Sequence, residues 1–456
     1  MNNVGISPDY ERKEQWESYA KELRTEYQQL LDEGRDAEPY RELFEAVSGM
    51  PNAEYKFRIA DVLSELAQNL PMRDGYAYRE PSDWAGIWAL CAGRTDAEKK
   101  PVPADDALGD RILGAWLGRI CGCLLGKPIE GIRTEELWPL LQASGNWPLR
   151  RYILSTDITE EQKKRASFPL ASRVYPDQME CAPSDDDTNY TVLMQELIER
   201  CGRDFTPEDV MEIWLGRQSR YAYCTAERVA YCNAIKGYRP PATALFQNPY
   251  REWIGAQIRA DYFGYINPGN PGKAAEMAWR DASISHIKNG IYGEMLVAAM
   301  LAQAAVETDI ESVVETGMRF IPATSRLYEA ISGVLADFRA GVAQGEAFSK
   351  IHRAYDEHTD YGWCHTIPNA MIVVAALLYG AGDYGKSICM AVETGFDTDC
   401  NGATVGSIVG MLKESGAISA DWAAPVNGML DTTIFGVSRV RIQDCADRTM
   451  RHIRRS

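Results

Sequence analysis

Two stretches of this sequence concentrate carboxylates where a helix is about to begin. PSDDDTNYT, Pro183 to Thr191, puts Asp185, Asp186 and Asp187 on adjacent residues. ETGFDTDCNGATVG, Glu393 to Gly406, alternates Asp397 and Asp399 with Thr398, and Cys400 follows. Adjacent like charges raise the cost of ionising one another. One aspartate at a helix start is explained by capping, since it accepts from orphan N–H groups and meets the positive end of the dipole. Three in a row, matched by a distant Asp-x-Asp, exceed what capping needs. Hard cations such as Mg²⁺ or Mn²⁺ take oxygen ligands, and two of them between these helix starts would activate a water or clamp substrate oxygens. On residue type and spacing alone, a shared cation site and a pair of capped, solvated turns are equally good readings.

Helices must aim those turns, and the chain is patterned for helices. DRILGAWLGRICGCLLG, GEMLVAAMLAQAAVE, SRLYEAISGVLADFRAGV and TVGSIVGMLKE all repeat apolar residues at spacings of three and four. Alternating β-branched runs bounded by turns are missing, so strands are a minor component. Gly114, Gly118 and Gly122, then Gly402, Ala403, Gly406 and Gly410, sit inside two of these helices. Each glycine costs about 1 kcal/mol against alanine, and close helix–helix approach is the expected compensation. Toward the N-terminus, RTEYQQLLDEG and YKFRIADVLSELAQNL read as two further helices with polar outer faces. The polar, proline-containing segment Ala92 to Asp106 is the expected boundary. The expectation is an all-α protein: an N-terminal helical extension over 1–106 and a compact multi-helix domain over 107–456.

Composition narrows the partners. The 456 residues carry 65 acidic against 48 basic side chains, a net −17. That field repels nucleic-acid phosphates and anionic membrane surfaces. MNNVGISPDYERKEQW has no apolar core of a secretory signal. No uninterrupted apolar run reaches the ~18 residues of a membrane span, and AMIVVAALLYGAG, Ala370 to Gly382, reads as a buried helix. Eleven cysteines without a signal sequence imply reduced thiols and a cytoplasmic location. Cys121-x-Cys123 has no second pair at zinc-ligand spacing, so no structural zinc is expected. Nothing in the pattern fixes an oligomeric state.

Five segments, in order, resemble the ADP-ribosylglycohydrolase family, which includes the dinitrogenase-reductase-activating glycohydrolases. GRICGCLLGKPIEG, Gly118 to Gly131, is similar to the family's G-x-x-x-G-D-A-L-G-x-P-x-E. Asp185-Asp186-Asp187-Thr188 resembles its T-D-D-T, and GFDTDC, Gly395 to Cys400, its G-x-D-x-D-T. GAQIR, Gly255 to Arg259, resembles G-x-x-M-R, and Ser285-His286 a T-H pair. The resemblance implies an all-α domain holding two divalent cations, Mg²⁺ or Mn²⁺, at the base of an ADP-ribose cleft. It implies metal-binding roles for Asp186, Asp187, Asp397 and Asp399, with Asp185 and Cys400 at two further ligand positions. It also implies an active-site role for Glu130, with Asp186 and Asp187 as further candidates for proton transfer. Gly255, Ala256 and Arg259 match the segment lying along the ribose and phosphates, and His286 a histidine near the cleft. The resemblance does not extend to residues 1–106.

Three departures stand out. Cys123 replaces the aspartate of the opening motif, Asp185 replaces the threonine before the aspartate pair, and Cys400 replaces a metal-binding threonine. Sulfur suits Mg²⁺ less well than oxygen, so that ligand is either lost or supplied by Asn401 or Asp185. The departures point to a divergent branch. The expected reaction is metal-dependent hydrolysis of the bond at ribose C1 in an ADP-ribosylated substrate. Two alternatives stay open: the same chemistry on another riboside or glycoside, and a catalytically silent ADP-ribose-binding protein with the extension as a docking module. His365 is a second cleft candidate, Arg251 reads as a surface or structural arginine ahead of a pyrophosphate contact, and the aromatic stretch FQNPYREWIGAQIRADYFGYINPGNPG has the composition of a substrate-lining loop.

Overall fold

The computed structural model describes residues 8–94 and 100–455. Residues 95–99 of the expected boundary segment, residues 1–7 of the extension and Ser456 lie outside the described residues. Helices dominate, and among the described residues one two-stranded hairpin, Met429–Ile434 with Val437–Arg441, is the sheet.

The glycine pattern builds the centre. Helix Asp105–Gly126 runs antiparallel to helix Thr398–Lys413, and their glycines meet in pairs, 114 with 410, 118 with 406 and 122 with 402. A Cβ on Gly122 would lie 2.0 Å from the Gly402 carbonyl oxygen, and one on Gly118 2.2 Å from that of Gly406. Backbones this close tolerate no side chain. By composition alone, Asp105–Ile129 is long and apolar enough to cross a membrane, but 83% of its most apolar window is buried in the protein. Helices Lys288–Ala304 and Thr366–Gly380 are also buried along most of their length, the latter covering much of the apolar run that reads as a buried helix.

The hairpin is small but placed to matter. Its pairs include Leu430 with Val440 and Asp431 with Arg439. Met429 O accepts from Ala182 N at 3.1 Å, and Asp431 N donates to Ala182 O at 2.9 Å. This fixes the segment immediately ahead of Asp185.

In the N-terminal region, Leu23, Leu30, Phe44, Val47 and Leu63 belong to an apolar cluster of their own, while Ile87 and Cys91 join the main core. A polar seam joins the region to the rest. Arg251 donates to Glu26 Oε2 at 2.7 Å and to Glu33 Oε1 at 2.5 Å, and Gln29 donates to Glu252 at 2.8 Å. Of the readings open for Arg251, its burial and these ion pairs support the structural one over a surface one.

Candidate active site

Antiparallel pairing of the glycine helices carries the C-terminal end of one to the N-terminal end of the other. Thr398 Oγ1 donates to Gly126 O at 3.0 Å. Glu130, one short 3₁₀ turn beyond Gly126, therefore arrives beside Asp397 and Asp399. A third element is bolted on by Arg119 of the same central helix. Its guanidinium, 1% exposed, donates to Asp187 O at 2.7 Å, to Asp187 Oδ1 at 3.0 Å and to Asp261 Oδ2 at 2.7 Å. Helix Asp186–Cys201 thus starts against the central pair, with Asp185 as its N-cap accepting from Asp187 N at 3.0 Å.

The result is a cavity of about 270 Å³ whose wall includes Glu130, Asp186, Asp397, Asp399 and Cys400. Donor atoms of Asp187, Asp399 and Cys400 all lie within 4.8 Å of one another, as do those of Cys123, Asp185 and Asp187. Among the described residues, no nitrogen or oxygen donor serves buried Asp187 Oδ2 or Asp399 Oδ1. A larger depression, about 700 Å³ and lined by Lys100, Glu307 and Arg319 among others, holds none of these groups.

Charge crowding is written into the acidities. Burial pushes the Asp186, Asp187 and Asp399 carboxyls well above the ordinary carboxylate range. Asp185 adds to this at Asp186, Glu130 adds to it at Asp399, and Arg119 pulls the other way at Asp187. Burial and then Glu130 push Asp397 up to about 6. Carboxylates in this state hold protons or a cation. Oxygen donors with unserved lone pairs, converging from two helix starts, fit a hard divalent ion.

Asp185 behaves differently. Burial raises its pKa, but the Lys127 ammonium hydrogen-bonded to its Oδ2 more than offsets this and leaves it lowered. The extra carboxylate therefore carries its own counter-charge, from a lysine within the Gly-x-Pro-x-Glu stretch. Cys123 and Asp185, two of the three departures, are neighbours across the site. A carboxylate missing from the central helix is matched by one added at the facing helix start.

The matched segment 255–259 and its histidine stand mostly behind the wall. Gly255 lines the cavity, and a Cβ there would fall 2.1 Å from Glu227 Oε1. Ala256 is fully buried. Arg259, expected along the phosphates, is 0% exposed and spent on protein groups: Asp281 Oδ2 at 2.5 Å, Glu227 Oε1 at 2.6 Å and Ser285 Oγ at 3.0 Å. His286 is buried, its Nδ1 2.8 Å from Ser285 Oγ, and burial and then Arg259 hold its pKa well down. Neither Arg259 nor His286 is part of the cavity wall. His365 caps helix Thr366–Gly380, its Nδ1 accepting from Ile367 N at 3.2 Å.

The remaining cavity residues divide between a stretch whose composition suggested a lining role and residues that gave no such signal. Tyr250, Trp253 and Ile254 come from the aromatic stretch expected to line a substrate. Phe168, Glu227 and Trp363 carried no motif. Gln15, Trp16 and Glu22 come from the extension, whose contact with the cavity no local pattern announces.

The ADP-ribosylglycohydrolase family model matches residues 104–456. A solved structure described as an "ADP-ribosylglycohydrolase-related protein complex" matches at 18% identity over 76% of this chain and 99% of that chain, with a TM-score of 0.45. No curated protein matches the chain.

Proposed function

The chain belongs to the ADP-ribosylglycohydrolase family, and from that premise we propose that it is a divalent-metal-dependent hydrolase of a glycosidic bond at ribose C1. One observation carries the reading. Glu130, Asp186, Asp397, Asp399 and Cys400, from three distant parts of the chain, share one cavity wall, with Asp187 Oδ2 unserved beside them.

Cleavage at ribose C1 develops oxocarbenium character in the sugar. Asp187, Asp397 and Asp399, with Cys400 beside them, are the residues that would hold a divalent ion. When bound, such an ion supplies Lewis acidity toward a water and an anchor for ribose hydroxyls. Glu130 takes the proton of the attacking water. It is the cavity carboxylate at a loop rather than a helix start, and its side chain is 31% exposed. Arg173 donates to Glu130 Oε2 at 2.9 Å and to Glu130 O at 2.8 Å, which orients the carboxylate. Phe168, Trp253 and Trp363 give the cavity flat apolar walls that exclude water from the reacting centre.

ADP-ribosylated compounds are the first substrates to assay. A riboside lacking ADP is the second reading, favoured by the absence of Lys, Arg or His from the cavity wall among the described residues. The test is product release from ADP-ribosyl-arginine, ADP-ribosyl-serine and simple nucleosides with millimolar Mg²⁺ or Mn²⁺. Metal-dependent release that Glu130→Gln lowers at least a hundredfold is expected. Failure to release product from every compound overturns the enzymatic reading, and tight binding without turnover would mark a silent receptor.

A further inference from the structure

The cavity that holds the candidate catalytic groups is closed on one side by the N-terminal extension, which lies outside the matched span. Trp16 and Glu22 stand on its wall together with Tyr250 and Trp253. Glu22 is 6% exposed, and its Oε2 accepts from Thr25 Oγ1 at 3.0 Å. The Trp253 Nε1 donor is buried with no partner among the described residues.

The wall's charge is one-sided. Three of its carboxylates are answered by the protein: Glu130 by Arg173 at 2.9 Å, Glu227 by Arg259 at 2.6 Å and Asp360 by Arg133 at 4.0 Å. Glu22, Asp186, Asp397 and Asp399 have no ion-pair partner among the described residues. With no Lys, Arg or His on the wall among the described residues, no side-chain cation lines it to meet a pyrophosphate. The basic groups nearby are already held by protein partners, two of them against wall tryptophans. Lys127 is on Asp185, Arg133 lies over the Trp363 ring at 4.5 Å, and Arg228 lies over the Trp16 ring at 5.2 Å and 3.6 Å from Glu17. At about 270 Å³, the cavity is also below the ~300–1,000 Å³ of sites for drug-sized ligands. Aromatic faces beside carboxylates are the surroundings that a flat organic cation prefers.

We propose that Trp16 and Glu22 complete the substrate pocket and select a phosphate-free riboside with a cationic group at C1. This rests on the glycohydrolase reading for its chemistry but not for its binding. In the hydrolysis, water oxygen bonds to C1, the C1–N electron pair leaves with the ring nitrogen, and one water proton is released.

Three probes separate charge from phosphate: nicotinamide riboside (cationic, no phosphate), NAD⁺ (the same cation with ADP) and inosine (neutral, no phosphate). Calorimetry on the Mg²⁺-loaded Glu130→Gln protein measures binding without consuming the probe, and chromatography on the native protein measures release. Nicotinamide riboside is expected to bind at least about tenfold tighter than either of the others. Glu22→Gln should cut the nicotinamide riboside to inosine ratio at least about fivefold, and Trp16→Phe should weaken both ribosides. NAD⁺ binding as tightly as nicotinamide riboside, no binding of any probe, or an unchanged ratio in a folded Glu22→Gln protein overturns the proposal. Were the ratios found but no probe cleaved, the pocket would stand and the glycohydrolase reading would fail; cleavage without the ratios means the reverse.

Discussion

Two buried acidic clusters lie close together in this molecule and are resolved in opposite ways. Around Arg259, Glu227, Asp281 and Glu294 are at most 1% exposed. At the two helix starts, Asp187, Asp397 and Asp399 are at most 6% exposed. Burial is therefore not what separates them. The first cluster has its own counter-charge: one guanidinium reaches all three carboxylates, at 2.5, 2.6 and 3.6 Å. Burial and then Asp281 push the Glu294 carboxyl well above the ordinary range, while Arg259 pulls the other way. The second cluster opens on a cavity, and the protein's own cations, Arg119 and Lys127, reach only its edge at Asp187 and Asp185. A cluster built around its own guanidinium is answered from within, even where Glu227 touches the cavity, whereas one without can be neutralised by what enters. The first shapes the wall; the second is where chemistry is expected.

That contrast can be broken most directly at the Arg259 cluster. Arg259→Ala leaves buried carboxylates without their counter-charge and should cost about 3–5 kcal/mol in denaturant unfolding, with no rescue by divalent ions. A loss below about 1 kcal/mol would mean that the arginine does not neutralise its cluster. At the open half, Asp399→Asn should lower metal-dependent turnover by about a hundred- to a thousandfold, about 3–4 kcal/mol of barrier, while the metal-free protein melts no lower than the parent. A comparable loss of stability would make the two clusters alike. Gly122→Ala touches neither cluster but forces a methyl against the Gly402 carbonyl, and it should destabilise by about 1–3 kcal/mol. Turnover should fall with it, because the seam it opens sets Glu130 against Asp399.

The smallest effect expected is on pH. With carboxyl pKa values raised, the folded metal-free cluster binds more protons than the unfolded chain, so its contribution to stability falls as pH rises through about 6, the value for Asp397. Protons then compete with a cation for the same oxygens. Mn²⁺ affinity should fall at least about threefold from pH 7.5 to 5.5, and the melting gain from Mn²⁺ should shrink with it. Affinity independent of pH over that interval would place the ion elsewhere. An Asp399→Asn protein that retained the full pH response would also remove the open cluster from the comparison.

The two acidic helix starts were legible because their carboxylates stand next to one another along the chain, as local a signal as sequence offers. The glycine stripes were legible too, since a residue that costs helix stability needs a packing reason. The role of Arg259 was not: its motif reads as a ligand contact, while the fold buries it among Glu227, Asp281 and Ser285. Nor was the Lys127–Asp185 pair, which turns an apparent excess of charge into an internal ion pair.

The sequence by itself therefore determined an all-α chain, a tightly packed glycine pair and two charged helix starts, because each follows from spacing within one segment. Only the tertiary structure decided which carboxylates receive a counter-charge and which face a cavity, and that the extension walls this cavity with Trp16 and Glu22. Those outcomes depend on which distant backbones approach within a few ångströms, and periodicity along a single helix carries no information about its neighbours.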